Sequence, residues 1–269
     1  MKNTVIILIF WTLLTAKSSA QVEVTYDIIS TTGKIIDTSS GKELQVGDRI
    51  SFQTELRFNS LHDRAVLLNP EKIKYFLELP RSSFVNSQLT VASNYALSPV
   101  KARPALITGI RGNNALITNG LSPHSLREYF AIDTFTVVGN SFTFPVARGD
   151  AERFDLLIRY ENENRIEEYI SSNFTIARDD LKLQGNGIAE CFILLKEGNS
   201  VVPVTLISLF FVEKNQLFRE FDSLLNAMNQ RKEDIDATIG ILRQYCTDVY
   251  GMIDRNTLES TINDYLPLN

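Results

Sequence analysis

The apolar residues of this chain change their spacing once, near Val212, and that change restricts the fold more than any other feature. Upstream they recur at every second position, the repeat of a strand with one buried face. Downstream they recur at three and four, the repeat of a helix. In VGDRISFQTELRF, Ile50, Phe52, Thr54, Leu56 and Phe58 face one way, while Ser51, Gln53, Glu55 and Arg57 face the other. Strict alternation after a Gly-Asp turn predicts a half-buried antiparallel strand over 50–58. Val22, Val24, Tyr26 and Ile28 alternate in the same manner, and Ile73, Tyr75, Leu77 and Leu79 repeat the pattern up to Pro80.

Two hairpins are predicted. FTVVGNSFTF carries strands on either side of Gly139-Asn140, a pair that tolerates the positive φ of tight primed turns. RFDLLIRYENENRIEEYI alternates through Phe154, Leu156, Ile158 and Tyr160 and then turns at Glu161 to Asn164. Val201 to Val212 is the longest apolar run after the N-terminus; with Pro203 inside it and too few residues to span a bilayer, it reads as a buried strand. Short strands separated by Gly, Asn, Pro and Ser clusters predict an antiparallel β-sandwich, one large or two in tandem, rather than alternating βα units. VGDRISFQTELRF resembles the strand opening of immunoglobulin-like modules in bacterial surface proteins, and the resemblance implies an immunoglobulin-like sandwich. The expected boundaries are a first module over 21–122, a second module or continuation over 123–212, and a helical segment over 213–269. The polar stretch TNGLSPHS, Thr118 to Ser125, marks the division.

The C-terminal segment has two apolar stripes. Leu217, Phe221, Leu224 and Met228 are followed by Ile235, Ile239, Leu242, Cys246, Val249 and Ile253, the second set holding a heptad seam. Arg231 occupies a seam position between them, and NQRKED has no Gly or Pro to force a turn. Either a helical hairpin or one long helix fits, with Gly240 a cost of about 1 kcal/mol in a helix interior. Asn256 to Glu259, NTLE, resembles a capping box and predicts a short last helix ending before Pro267.

At the N-terminus Lys2, the apolar stretch Val5 to Leu14 and the small residues Ser18, Ser19 and Ala20 follow the order of a secretory signal peptide, residues 1–20, cleaved after Ala20. The mature chain is then expected to be periplasmic, cell-surface or secreted. Loss of Lys2 and Lys17 takes the net charge from −5 to −7. That balance argues against nucleic-acid partners, which demand a basic face. In an oxidising compartment Cys191 and Cys246 can pair, with about 4 kcal/mol of loop-closure stabilisation; alternatively each is a small buried residue.

Chemistry-bearing motifs are sparse. His62 and His124 stand alone, no cysteine pair has metal-ligand spacing, and neither H-E-x-x-H nor an EF-hand loop occurs, so no metal or cofactor is expected. Ser39-Ser40-Gly41-Lys42 fits S-x-x-K, but it reads as a turn and lacks a K-T-G partner. Arg148-Gly149-Asp150 falls between predicted strands, where an exposed loop is expected; Gly-Asp turn chemistry accounts for it without an adhesive role. Asn173-Phe174-Thr175 is a glycosylation sequon. The expected function is therefore a non-catalytic interaction or structural protein. Its contact, with a protein partner or a second copy, runs through the helix seam residues Leu224, Met228, Ile235, Ile239, Leu242 and Val249, unless those residues pack within the chain. The alternatives are a secreted hydrolase using two carboxylates and a glycan-binding module. The latter would rely on tyrosines, since Trp11 is the only tryptophan and lies in the leader.

Overall fold

The computed structural model describes residues 24–51, 53–60, 63–79, 96–99, 120–130, 133–162, 165–183, 187–230 and 234–266. The expected leader, His62, Phe52 and Arg231 lie outside them. The fold combines several antiparallel sheets, one mixed sheet and C-terminal helices.

The first part contains β1 (Thr25–Thr32), β2 (Ile35–Asp37), β3 (Arg49–Ser51), β4 (Leu56–Phe58), β5 (Arg64–Leu68), β6 (Lys74–Glu78) and β7 (Ala96–Pro99). An antiparallel sheet runs β3-β1-β5-β6-β7, and β2 and β4 form a separate ribbon. The side-chain alternation of these strands feeds two cores. Ile28, Leu67 and Leu77 pack with Ile35, Leu56 and Phe58 of the ribbon. Ile29, Val66 and Leu68 turn the other way, toward the helices.

The predicted strand over 50–58 is two strands. The chain turns after Ser51, where the Thr54 amide donates to the Ser51 carbonyl at 3.1 Å and the Thr54 hydroxyl accepts from the Ser51 amide at 3.1 Å. Ile50, Leu56 and Phe58 nonetheless share one core, so the alternation found the buried face and missed the break.

The second part starts with α1 (Pro123–Tyr129), a helix absent from the strand-based reading and capped by Ser122 and Ser125. Next come β8 (Thr134–Val138), β9 (Ser141–Thr143), α2 (Arg148–Arg153), β10 (Asp155–Asn162), β11 (Arg165–Ser171), β12 (Thr175–Ala177), β13 (Gly187–Glu197) and β14 (Ser200–Val212). After them lie α3 (Lys214–Met228), α4 (Ile235–Tyr250), β15 (Met252–Ile253) and α5 (Arg255–Tyr265). The mixed sheet runs β11-β10-β13-β14-β8-β15, with β8 parallel to both its neighbours. Its inner face packs Phe135, Ile158, Ile193 and Leu209 against α1 and the β9–β12 ribbon.

The turn at Gly139-Asn140 forms, with Gly139 at φ 91°, but it does not close a hairpin. The Gly139 amide is bonded to the Val212 carbonyl at 2.8 Å, β8 joins β14, and β9 joins β12. The β10–β11 hairpin forms as predicted, closing on Asn162 opposite Arg165.

The C-terminal stripes become two helices, α3 ending on Asn229 in the left-handed region at φ 55° and α4 starting behind the Asp234 cap. Glu220 near the middle of α3 meets Tyr245 and Tyr250 late in α4. The last helix begins earlier than NTLE implied, because Asp254 rather than Asn256 accepts the Thr257 amide, at 3.0 Å. The three helices form a layer whose core joins Ile29, Val66 and Leu68 of the first sheet to Val212 and Ile253 of the mixed sheet.

Candidate functional site

The helix seam is internal. Leu224, Leu242 and Val249 are buried in the core between the sheets, and Met228 and Ile239 pack against it. Of the expected contact residues only Ile235, 39 % exposed, stands out in solvent. Of the two readings of the seam, packing within the chain is the one these positions fit, with Ile29, Val66 and Leu68 of the first sheet in the same core. Cys191 and Cys246 are free thiols in two separate cores rather than a bonded pair. Burial pushes the Cys191 thiol up to about 12 and raises Cys246 further still. Arg148-Gly149-Asp150 is not a loop but the first turn of α2, and Asp150 Oδ2 accepts the Leu121 amide at 2.8 Å. His124 is an exposed partner of Glu128 at 3.4 Å. Among the described residues no group of His, Cys, Asp and Glu could hold a metal ion, and no helix is long and apolar enough to cross a membrane.

Glu220 is a wholly buried carboxyl in α3. Its Oε1 accepts from Ser30 Oγ at 2.8 Å and Gln216 Nε2 at 2.9 Å; its Oε2 accepts from the hydroxyls of Tyr245 at 2.9 Å and Tyr250 at 2.6 Å. Burial raises its pKa, opposed by these four donors, and burial beside Glu220 holds both tyrosines well above their usual range. A perturbed carboxyl in a cleft would suggest acid-base work. This one has no exposed surface and no second carboxylate among its partners. It ties the first sheet, through Ser30 on β1, to the helix pair. Lys74 of β6 and Asp248 of α4 add a largely buried ion pair across the same junction.

A further exposed apolar surface lies elsewhere. Cross-strand register puts Glu168, Arg159, Phe192 and Leu206 in one row across β11, β10, β13 and β14. The next row is Ile170, Leu157, Leu194 and Pro203. These residues share the face opposite the inner core. Leu157 and Leu194 are buried there, yet belong to none of the three cores. Around them Phe192 is 50 %, Ile170 49 % and Leu206 46 % exposed, and Ile166 at the rim is 74 % exposed. An antiparallel sheet with one solvated face alternates apolar and polar residues; this one is apolar on both faces. The polar groups of the patch are internally paired, Arg159 with Glu168 at 2.6 Å and Lys196 with Asp155 at 3.9 Å.

The signal for this face was present in the consecutive apolar residues of CFILL and in the apolar-rich VTLISLFF, broken only by Thr205 and Ser208. Such runs mark strands covered on both sides. One covering layer is the inner core; the other is missing among the described residues. Comparison with protein-family models, with curated proteins and with solved structures finds no match.

Proposed function

We propose that this is a non-catalytic interaction protein that works outside the cytoplasm and meets a protein partner through the outer face of the mixed sheet. The observation that carries the reading is the register of Phe192, Leu206, Ile170 and Ile166 on one face around the buried pair Leu157 and Leu194. Contiguous exposed apolar patches ringed by polar residues are characteristic of contact sites, and aromatic residues near their centre are the usual anchors. The location outside the cytoplasm rests on the basic, apolar and small-residue order of positions 1–20. Reading the β parts as sandwich modules rests on each sheet facing a two-stranded ribbon across its own core.

A photo-crosslinking residue at position 192, in cells that make the protein, tests the proposal. A single defined protein adduct, lost when Leu206→Asp is added, is expected. Adducts only from a control site at Ser40, in the turn after β2, would oppose it.

A further inference from the structure

We infer that β11 is a strand-addition site, whose free edge takes an extended peptide segment of a partner protein. The segment carries Lys or Arg opposite Glu168, between apolar residues opposite Ile166 and Ile170. The inference rests on the reading of the mixed sheet as a contact surface, and it names the chemistry of what arrives there.

The direction of the β11 backbone follows from the hairpin. Asn162 and Arg165 are its closing pair, and closing pairs exchange backbone hydrogen bonds. Bonded and non-bonded pairs alternate, so Arg165, Glu167, Tyr169 and Ser171 direct their amides and carbonyls to β10. Ile166, Glu168 and Ile170 direct theirs outward. The neighbouring hairpin gives the same phase independently. It closes on Glu197 and Ser200, which turns Phe192 and Leu194 toward Arg159 and Leu157 on the far side of β10. β11 ends the sheet, and no described residue pairs with its outer edge. Sheet edges avoid unwanted pairing with charged side chains, proline or a bulge. RIEEYIS has no proline, its register with β10 runs without a shift from Ile166 to Ile170, and of its charges Glu167 and Glu168 are paired with Lys182 and Arg159.

The residues with outward backbone are those whose side chains lie on the exposed apolar face. An antiparallel strand added here exchanges bonds with Ile166, Glu168 and Ile170 and sets its own alternate side chains beside them. Glu168 supplies the charge selection. Arg159 takes its Oε1 through Nε at 2.7 Å and a terminal nitrogen at 2.6 Å, while no described residue bonds its Oε2. A cation opposite completes that carboxylate. A second copy of this chain pairing about Glu168 would instead set two carboxylates directly opposite, which is unfavourable.

Near the end of β11, Tyr169, Ser171, Ser172, Asn173 and Asp180 line an open depression. The Tyr169 hydroxyl donates to the Thr175 carbonyl at 2.9 Å and lies 3.3 Å from Asp180 Oδ2, and Asn173 Oδ1 accepts from Ser171 at 2.7 Å. Asp180 Oδ1 and Asn173 Nδ2 are left as an acceptor and a donor for the polar residues that extend the peptide past the strand.

The test is selection of a displayed library of short random peptides on residues 21–269, repeated on Glu168→Pro, Glu168→Lys and Phe192→Asp. Proline at 168 removes the outward amide and the carboxylate but no backbone bond to β10, so the variant is expected to fold, which circular dichroism checks; Glu168→Lys, which keeps the amide, separates the two losses. The expected result is enrichment of an apolar-x-basic-x-apolar pattern, binding roughly tenfold weaker to Glu168→Pro, and a switch to acidic central residues on Glu168→Lys. Peptides that depend on Phe192 but ignore Glu168 would overturn the edge site while leaving the outer-face reading intact. Peptides insensitive to all three variants would overturn both. No enrichment, or a dimeric mass in light scattering that Glu168→Pro abolishes, would overturn the peptide site.

Discussion

Tyr250 donates its hydroxyl to Glu220 at 2.6 Å from the last turn of α4, and the same carboxyl accepts from Ser30 of β1 at 2.8 Å. One buried group therefore bridges the helical layer and the first sheet. Because burial raises its pKa above the ordinary 4.5, the folded protein holds this proton more tightly than the unfolded chain does. The stability it supplies is complete below 4.5 and is lost as pH rises through the raised folded value. Glu220→Gln is expected to flatten the decline in urea midpoint as pH rises above 4.5. An undiminished slope in the variant would assign the decline to other groups. Glu220→Ala, which takes the acceptor from two buried tyrosines, is expected to cost about 2–4 kcal/mol.

Lys74 and Asp248 join β6 to α4, with the Asp248 side chain 2 % exposed. Lys74→Met removes the cation facing a buried carboxylate and is expected to cost about 3 kcal/mol in chemical denaturation. Adding Asp248→Leu should recover most of that loss. A double variant as unstable as the sum of its single changes would show that the two residues do not act as a pair.

Cys191 and Cys246 sit in separate cores with raised thiol pKa values, so neither presents a thiolate near neutral pH. A thiol reagent is expected to label neither in the folded protein and both after unfolding in guanidinium. Resistance to labelling after unfolding, reversed by a reductant, would reveal a bond between them.

Local signals were legible where their bonding partner was close in the chain. The β10–β11 hairpin could be read because its strands and polar turn are contiguous. The α3 and α4 stripes could be read as apolar faces, with an internal and an intermolecular cover both left open, since that cover comes from Ile29, Val66 and Leu68, more than a hundred residues upstream. The Gly139-Asn140 turn was legible as a turn and misleading as a hairpin, because the Val212 carbonyl takes the Gly139 amide. Glu220 carries no local mark at all. Its meaning depends on Ser30, Tyr245 and Tyr250 meeting it in space.

On the outer face, Phe192→Asp and Leu206→Asp place charge on already exposed positions. Each is expected to change stability by no more than about 0.5 kcal/mol, read from thermal or urea midpoints, so any loss of binding reports contact rather than folding. A loss above about 2 kcal/mol would mean that this face is covered by the protein itself.

The most direct measurement is the labelling of Phe192→Cys by a membrane-impermeant maleimide, compared between intact producing cells and the purified protein, with Ser40→Cys as reference. The native thiols are buried and should not contribute. Strong labelling of position 192 in the purified protein and protection in cells, with position 40 labelled in both, is expected of a face that a partner covers outside the cytoplasm. Equal labelling of position 192 in both settings would contradict it.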